Sequence, residues 1–196
     1  MTRSKRSQTA LLAVTAAASV SMGVVGQTAG ATPVGVQDGA VSVRGAHGVF
    51  RPPDTATTAF TYDSTKVPVG AKANVLAFYL GSRTVVAVYV RGLLPNREYG
   101  AHAHVNRCGA TGADAGPHYQ RYPSTDPAAA NPANEIWLDF TTDARGNGYA
   151  LAVQPWAFES LRRPGSVIIH DHHTSTGGAE PPGTAGARYG CVTVPF

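Results

Sequence analysis

Short apolar stretches with the two-residue period of a β-strand alternate with turn residues along most of the chain. In Lys72–Leu80 and Arg83–Arg91, apolar side chains recur at every second position or more often, which is the spacing expected of strands. The two stretches are separated only by Gly81 and Ser82, and glycine at the first position of a two-residue loop is typical of a β-hairpin. Both faces of the second stretch are substantially apolar, which favours a strand inside a packed sandwich or barrel.

The remaining strands are predicted from the same kind of pattern. They lie at Thr57–Tyr62, Glu98–Val105, Glu135–Thr141, Tyr149–Val153, Ser166–His170 and Arg188–Val194, with a first strand near Ala40–Arg44 as an alternative to a loose arm. Only Trp156–Leu161 indicates a helical turn, and no stretch sustains the 3.6-residue period of an amphipathic helix. The sequence therefore predicts an all-β fold, a Greek-key β-sandwich or barrel of about eight strands, immunoglobulin-like, with long loops.

The first residues have the organisation of a secretory signal peptide. Arg3, Lys5 and Arg6 precede a mostly small and apolar run, and Ala29-Gly30-Ala31 fits a small-x-small cleavage site. Polar residues and glycines interrupt the run, which is short for a bilayer span and so disfavours a membrane anchor. We therefore expect an exported protein, secreted or otherwise extracytoplasmic. The predicted organisation is a signal peptide at 1–31, an N-terminal arm at 32–56 and a β-barrel domain at 57–196.

Cleavage of this leader would change how the charge is interpreted. The formal net charge of the whole chain is +4, and loss of the three basic leader residues would lower it to +1. The basic character therefore partly reflects the leader, and it gives no reason to expect a nucleic-acid partner. We also expect no stable membrane anchor after cleavage.

Candidate metal ligands are concentrated around one predicted strand. His102 and His104 are two residues apart, so their side chains leave the same face of a strand, with Cα atoms about 6.6 Å apart. Such pairs also occur on solvated faces, but His118 follows in a nearby loop and His170 ends a later predicted strand. Four imidazoles without a thiolate would form a nitrogen-rich site, which favours copper.

A family resemblance joins these features. An H-x-H pair, a cysteine, the triplet GPH, a strand-end histidine and AGARYGC follow one another in this order. In that order they resemble the copper/zinc superoxide dismutases, over roughly residues 73–196. The resemblance implies that copper is bound by His102, His104, His118 and His170. It also implies that Arg188 of AGARYGC attracts a small anion beside the metal, and that His118 supplies a proton.

The resemblance and the predicted export also bear on the two cysteines. Cys108 and Cys191 are the only cysteines of the chain, and an oxidising compartment permits a disulfide between them. Two free buried thiols are the alternative, against which both the export and the resemblance argue. The bond would close a loop of about 80 residues and contribute on the order of 4 kcal/mol in the chain-entropy model.

The sequence departs from the family at the zinc site. Two-metal members hold zinc with the GPH histidine, two further histidines and an aspartate, but this chain has no histidine between His118 and His170. We therefore predict a copper-only variant, with a copper ion as cofactor and no zinc. The second ring nitrogen of His118 then needs another acceptor. Among Glu135, Asp139 and Asp126 we favour Glu135, with a solvated strand-end charge as the alternative.

The resemblance implies an exported superoxide dismutase, which converts superoxide, a small-molecule substrate, to dioxygen and hydrogen peroxide by copper redox cycling. The alternative is a non-catalytic copper-binding or chordin-like β-sandwich module, because VVAVYVRGLLPNREYGAHAH also resembles a repeat of chordin-like domains. A cupin site fits less well, since Asn-Arg-Cys-Gly stands where a cupin has a ligand glutamate. The sequence leaves the oligomeric state open and places His172 and His173 at the rim of the site.

Overall fold

The computed structural model describes residues 41–196. The predicted signal peptide and the first part of the predicted arm lie outside the described residues. In the described part, ten strands form two four-stranded antiparallel sheets and a two-stranded ribbon. Helical structure there is limited to two short 3₁₀ turns, Gly112–Ala115 and Pro127–Ala129. Across residues 41–196, no helix has the length and apolar character needed to span a membrane.

The strands follow one another along the chain with connections that cross between the sheets. They are β1 Val41–Val49, β2 Ala59–Thr61, β3 Lys72–Leu80, β4 Arg83–Arg91, β5 Glu98–Tyr99, β6 Ala101–His104, β7 Phe140–Thr141, β8 Gly148–Gln154, β9 Ser166–His170 and β10 Arg188–Thr193. The first sheet has the order β1-β3-β4-β8, the second β2-β10-β9-β6, and β5 pairs with β7. Non-consecutive neighbours such as β4 and β8 are typical of Greek-key connections, so the predicted all-β Greek-key fold is confirmed.

The core lies between the two sheets. Val75 and Val88 face it from the first sheet, and Ala101, Ala103 and Ile169 face it from the second. Because successive side chains of a strand point to opposite faces, β6 turns its two alanines inward and its two histidines to the outer face of the second sheet. The alternation of β6 therefore decides on which side of the sandwich the candidate site lies.

Local patterns predicted some strands with the correct bounds. The β3–β4 hairpin is confirmed, and Gly81 has the positive φ of 62° that a two-residue hairpin loop requires at this position. Strand β9 also has the predicted bounds. Strand β1 pairs with β3 along its whole length, so residues 41–49 belong to the first sheet.

Three local predictions were wrong. Of the predicted strand at 135–141 only Phe140–Thr141 forms as a strand, with isolated bridges at Glu135 and Trp137. The Asp139 carboxylate accepts the Ala101 backbone N–H at 3.0 Å, which interrupts the ladder between them. The predicted strand at 98–105 is divided at Gly100, where a side chain would collide with the carbonyl of His172. No helical turn forms at 156–161, where the chain makes an irregular turn instead.

Candidate metal centre

Four histidines converge on the outer face of the second sheet. His102 and His104 lie on β6, and His170 ends the neighbouring strand β9. His118 lies in the loop after the first 3₁₀ turn and forms an isolated β-bridge with His104. One ring nitrogen from each histidine lies within 4.8 Å of the others. The structure thus brings together the four residues that the sequence proposed as metal ligands.

Two of these imidazoles are oriented by backbone carbonyls. Nδ1–H of His104 donates to the carbonyl of Gly116 at 2.9 Å, and Nδ1–H of His170 donates to the carbonyl of Gly186 at 3.4 Å. With Nδ1 protonated, each ring presents the lone pair of Nε2, and these two Nε2 atoms are 3.3 Å apart. Hydrogen bonding of one ring nitrogen to fix the other as a ligand is the usual arrangement at metal sites.

His102 is held through a hydroxyl and a carboxylate. The hydroxyl of Thr174 donates to Asp139 at 2.7 Å, so its oxygen accepts Nε2–H of His102 at 2.5 Å. Asp139 also accepts the backbone N–H groups of Ala101 and Thr174, at 3.0 and 2.7 Å. These contacts leave Nδ1 of His102 as the free acceptor, and within the described residues it is buried without a partner.

That unpartnered nitrogen tests whether the residues fit a metal. A buried acceptor without a hydrogen-bond donor costs about 1–3 kcal/mol, and the ring of His102 is only 4.0 Å from that of His118 between centroids. A cation that accepts the Nδ1 lone pair would remove this cost. The donor set, three Nε2 atoms and one Nδ1 atom, is therefore suited to a metal ion that prefers nitrogen ligands.

His118 is oriented by the buried carboxylate of Glu135. Glu135 is only 1% exposed, and it accepts hydrogen bonds from Nδ1 of His118 at 2.8 Å, from Trp137 at 2.8 Å and from Gln120 at 2.9 Å. Burial alone would raise the pKa of Glu135, but these hydrogen bonds lower it overall. Glu135 is thus not a solvated charge, and the third candidate, Asp126, instead caps the second 3₁₀ turn.

The other three histidines of the cluster, His102, His104 and His170, are held in the neutral form. Burial, followed by the neighbouring His118 ring, lowers the pKa of His104 to about 2 and that of His170 to about 3. The same two causes lower the pKa of His102 well below its ordinary value. Because only a neutral imidazole can donate a lone pair to a metal, the fold holds these ligands in the binding form at neutral pH.

A cleft of about 480 Å³ opens beside the cluster, and its lining includes His118, His170 and Arg188. Arg188 is fixed there because its Nη1 donates to the carbonyls of Gly112 and Gly116, both at 2.8 Å. Among residues 41–196 its guanidinium forms no salt bridge. The cleft therefore presents a cation without a salt bridge beside two of the candidate ligands, and its lining also includes the carboxylate of Glu180.

A disulfide between Cys108 and Cys191 ties this region to the sheet. Cys191 lies on β10, three residues after Arg188, and Cys108 begins the loop that carries the carbonyls of Gly112 and Gly116. The predicted disulfide is confirmed, and it anchors the loop that positions the arginine.

Sequence reasoning missed Thr174 and gave Asp139 a different partner. The sequence suggests Asp139 as an acceptor for His118, whereas in the structure it acts on His102 through Thr174. The position of Thr174 four residues after a strand-end ligand was the only signal available. His172 and His173 lie outside the four-histidine cluster and contact Glu180 at 3.7 Å and Thr141 at 3.3 Å.

Comparison with solved structures shows the same fold. A Cu/Zn superoxide dismutase from Brucella abortus superposes with a TM-score of 0.52 at 18% sequence identity, covering 79% of this chain and 99% of that chain. A double mutant of a SOD-like protein from Bacillus subtilis gives a TM-score of 0.47 at 17% identity, covering 62% and 87%. No family model and no curated protein matches the chain. At this identity, the likeness to the Brucella protein establishes the fold alone.

Proposed function

We propose that the protein binds one copper ion through His102, His104, His118 and His170 and dismutes superoxide. The observation that carries the proposal is that each of the four imidazoles has one nitrogen engaged by a protein group and the other free toward a shared position. Four nitrogen donors without a thiolate suit copper. Bound copper would supply one-electron redox chemistry by alternating between two oxidation states.

The site is proposed to hold copper without zinc. In two-metal members of the resembling family the second nitrogen of the GPH histidine belongs to zinc. Here Nδ1 of His118 is bonded to Glu135, and that buried carboxylate also accepts from Trp137 and Gln120. This engagement supports a single-metal site in which a carboxylate takes over the orienting role.

Arg188 is proposed to guide and orient the superoxide anion. Its guanidinium is fixed by two carbonyls, so it keeps free donors without losing its position. A preorganised, unpaired cation attracts a small anion and donates hydrogen bonds to it. Conversion to hydrogen peroxide also needs two protons. The resemblance implies that His118 supplies one of them, and its Nδ1–H is held by the Glu135 carboxylate; solvent in the cleft would deliver the other.

The first test joins metal content to activity. Copper-loaded protein should hold about one copper per chain and no tightly bound zinc by elemental analysis, and it should show dismutase activity that a copper chelator removes. His102→Ala and His170→Ala should lose both copper and activity, because each removes a ligand nitrogen. His47→Ala, an exposed histidine on β1, is the matched control. Full copper occupancy in both ligand variants would contradict the site.

The second candidate function is a non-catalytic copper-binding or chordin-like module. Arg188 distinguishes the two, because a binding module has no use for a fixed cation beside the cluster. Arg188→Gln should lower the rate and its dependence on ionic strength while copper content stays unchanged. Fully loaded protein without activity would support the binding module instead.

Export with cleavage after Ala31 is also proposed, with 57–196 in the barrel domain and 32–56 preceding it, of which residues 41–49 form β1 of the first sheet. The disulfide is consistent with an extracytoplasmic location, because such bonds persist in oxidising compartments. Mass spectrometry of protein recovered from the medium should give a chain beginning at Thr32. An uncleaved cytosolic protein with reduced cysteines would contradict the proposal.

A further inference from the structure

The outer face of the first sheet carries an unusually large set of exposed apolar side chains. Tyr149, Leu151 and Val153 of β8 are 79%, 60% and 58% exposed, and Leu76 and Tyr89 are each 42% exposed. We call these five residues the apolar face. Scattered apolar residues are normal on a surface, but a contiguous patch of this kind marks an interaction site.

The register of the sheet makes the apolar face continuous. Leu76, Ala87 and Leu151 stand side by side across β3, β4 and β8, and Tyr89 stands directly between Asn74 and Tyr149 in the next outward-facing row. Together these six residues border a shallow groove of about 370 Å³. Apart from Asn74 and the tyrosine hydroxyls, the groove offers no side-chain hydrogen-bonding group, so it suits a hydrocarbon surface.

The groove runs into a pocket lined by cations. Lys72, Arg91 and Arg145 border this cationic pocket of about 650 Å³, which shares Tyr89 with the groove. Lys72 and Arg91 are directly paired across β3 and β4, and like charges in that position destabilise a sheet. In the part of the chain that the structure describes, these three side chains form no salt bridge.

Asp143 lies beside Arg145 and offsets part of the charge of the cationic pocket, whereas Lys72 and Arg91 form no salt bridge among the described residues. Asp143 accepts hydrogen bonds from the backbone N–H groups of Arg145 and Asn147 and from the side chain of Asn147. At the other end of the face, Arg83 is exposed and pairs with Leu80. No outward-facing residue of β3, β4 or β8 is acidic.

We propose that the apolar face and the cationic pocket together dock the protein reversibly onto a membrane that exposes anionic lipid headgroups. Leucine, valine and tyrosine side chains enter the boundary between headgroups and acyl chains, where the amphipathic ring of tyrosine is favoured. The cations meet the lipid phosphates, and each such contact contributes about fivefold to binding. This is adsorption through side chains, and it needs no spanning segment.

Charge argues against a second copy of the chain as the occupant. A two-fold dimer apposes the same surface of both copies. Both ends of this face are cationic, so either arrangement of two stacked sheets would place cations opposite cations. The candidate metal centre lies on the outer face of the other sheet, so adsorption through the first sheet leaves the cleft beside His118 and Arg188 open to solvent.

Vesicle sedimentation tests the contribution of each part. The full chain should sediment with vesicles of phosphatidylcholine mixed with phosphatidylglycerol, far less with pure phosphatidylcholine, and less at high salt. Any binding by residues 1–40 is common to all variants. Arg91→Glu should weaken binding about tenfold, whereas Arg107→Glu, the same charge change beside the other sheet, should not. Equal binding by these two variants would overturn the proposal.

Fluorescence quenching locates the contact. In vesicles with brominated acyl chains, a Tyr149→Trp variant should show strong quenching of its additional fluorescence, and a Tyr122→Trp variant, altered in an exposed loop, should show none. Absence of quenching at position 149 would overturn the proposal even if the chain sediments. Two further results would also overturn it: full competition by soluble glycerol phosphate, or a lipid-free dimer that Tyr149→Ser dissociates.

Discussion

Glu135→Gln is the sharpest perturbation of the candidate site, because it keeps the shape of the side chain and removes its charge. The carboxylate of Glu135 accepts from His118 and Trp137 at Oε2 and from Gln120 at Oε1. All three partners are donors. An amide offers one acceptor oxygen and one NH₂ donor, so at least one of the three contacts becomes donor against donor.

The contact with Gln120 is the one most easily given up, although Gln120 cannot simply flip. Its own side-chain oxygen accepts the backbone N–H of Ser124 at 2.9 Å, so a flipped amide would lose that bond. One unsatisfied buried donor costs about 1–3 kcal/mol, and the bonds from His118 and Trp137 lose their charge assistance. We therefore expect Glu135→Gln to lower the free energy of unfolding by about 2–4 kcal/mol.

The activity should fall more than the copper content. Glu135 contacts only His118 among the four candidate ligands, so His102, His104 and His170 keep their orientation. Loss of a group that orients a ligand lowers activity by about 10–100-fold. The rate per bound copper, with copper measured by elemental analysis, separates the two effects.

A matched control sharpens this test. Glu98→Gln removes an exposed carboxylate elsewhere on the barrel and should change neither stability nor rate. An unchanged rate per copper would remove Glu135 from the mechanism, and a loss of copper as large as the loss of rate would make its role purely structural.

Three further changes test the rest of the site. Thr174→Val should weaken copper binding about 10–100-fold in a metal titration, with Thr174→Ser as control, because His102 loses the acceptor of its Nε2 proton. Copper-free protein should lose stability in urea melts between pH 7 and pH 5. The pKa values of His104 and His170 lie far below the ordinary 6.5, so in this pH range the unfolded chain binds more protons than the folded one. The free energy of unfolding should therefore fall by up to about 1.4 kcal/mol per pH unit for each histidine. Equal stability at both pH values would contradict this. Reduction of Cys108–Cys191 should cost on the order of 4 kcal/mol and lower the melting temperature, and a melting temperature unaffected by reductant would show that the bond carries no stability.

The sequence predicted best where a pattern is local. The β3–β4 hairpin and β9 follow from alternation and from glycine at a turn, which involve only neighbouring residues. The strand predicted at 135–141 largely failed, although its alternation is as clear. Its backbone still meets β6 at a bridge between Trp137 and His102, but the Asp139 side chain takes the backbone N–H of Ala101 and also binds Thr174. Partners so distant in sequence cannot be predicted from a local period.

The candidate ligands were predictable for a different reason. His102 and His104 are linked by strand geometry, but only the order of motifs along the chain connected them with His118 and His170. Neither strand geometry nor motif order points to Thr174, since it lies in a long loop whose path is set by contacts with Asp139. Residues that orient a ligand are therefore harder to find from sequence than the ligands themselves.

The glycine of the GPH motif shows how the separate parts of the site depend on one another. Gly116 has a φ of 72°, and a side chain there would come within 2.7 Å of Val105, so only glycine fits without strain. Its carbonyl accepts both Nδ1–H of His104 and Nη1–H of Arg188. One backbone oxygen thus fixes the tautomer of a candidate ligand and the position of the cation beside it. The disulfide at Cys108 anchors the same loop, so the cysteine, the GPH triplet and the arginine all act on one short segment of the chain.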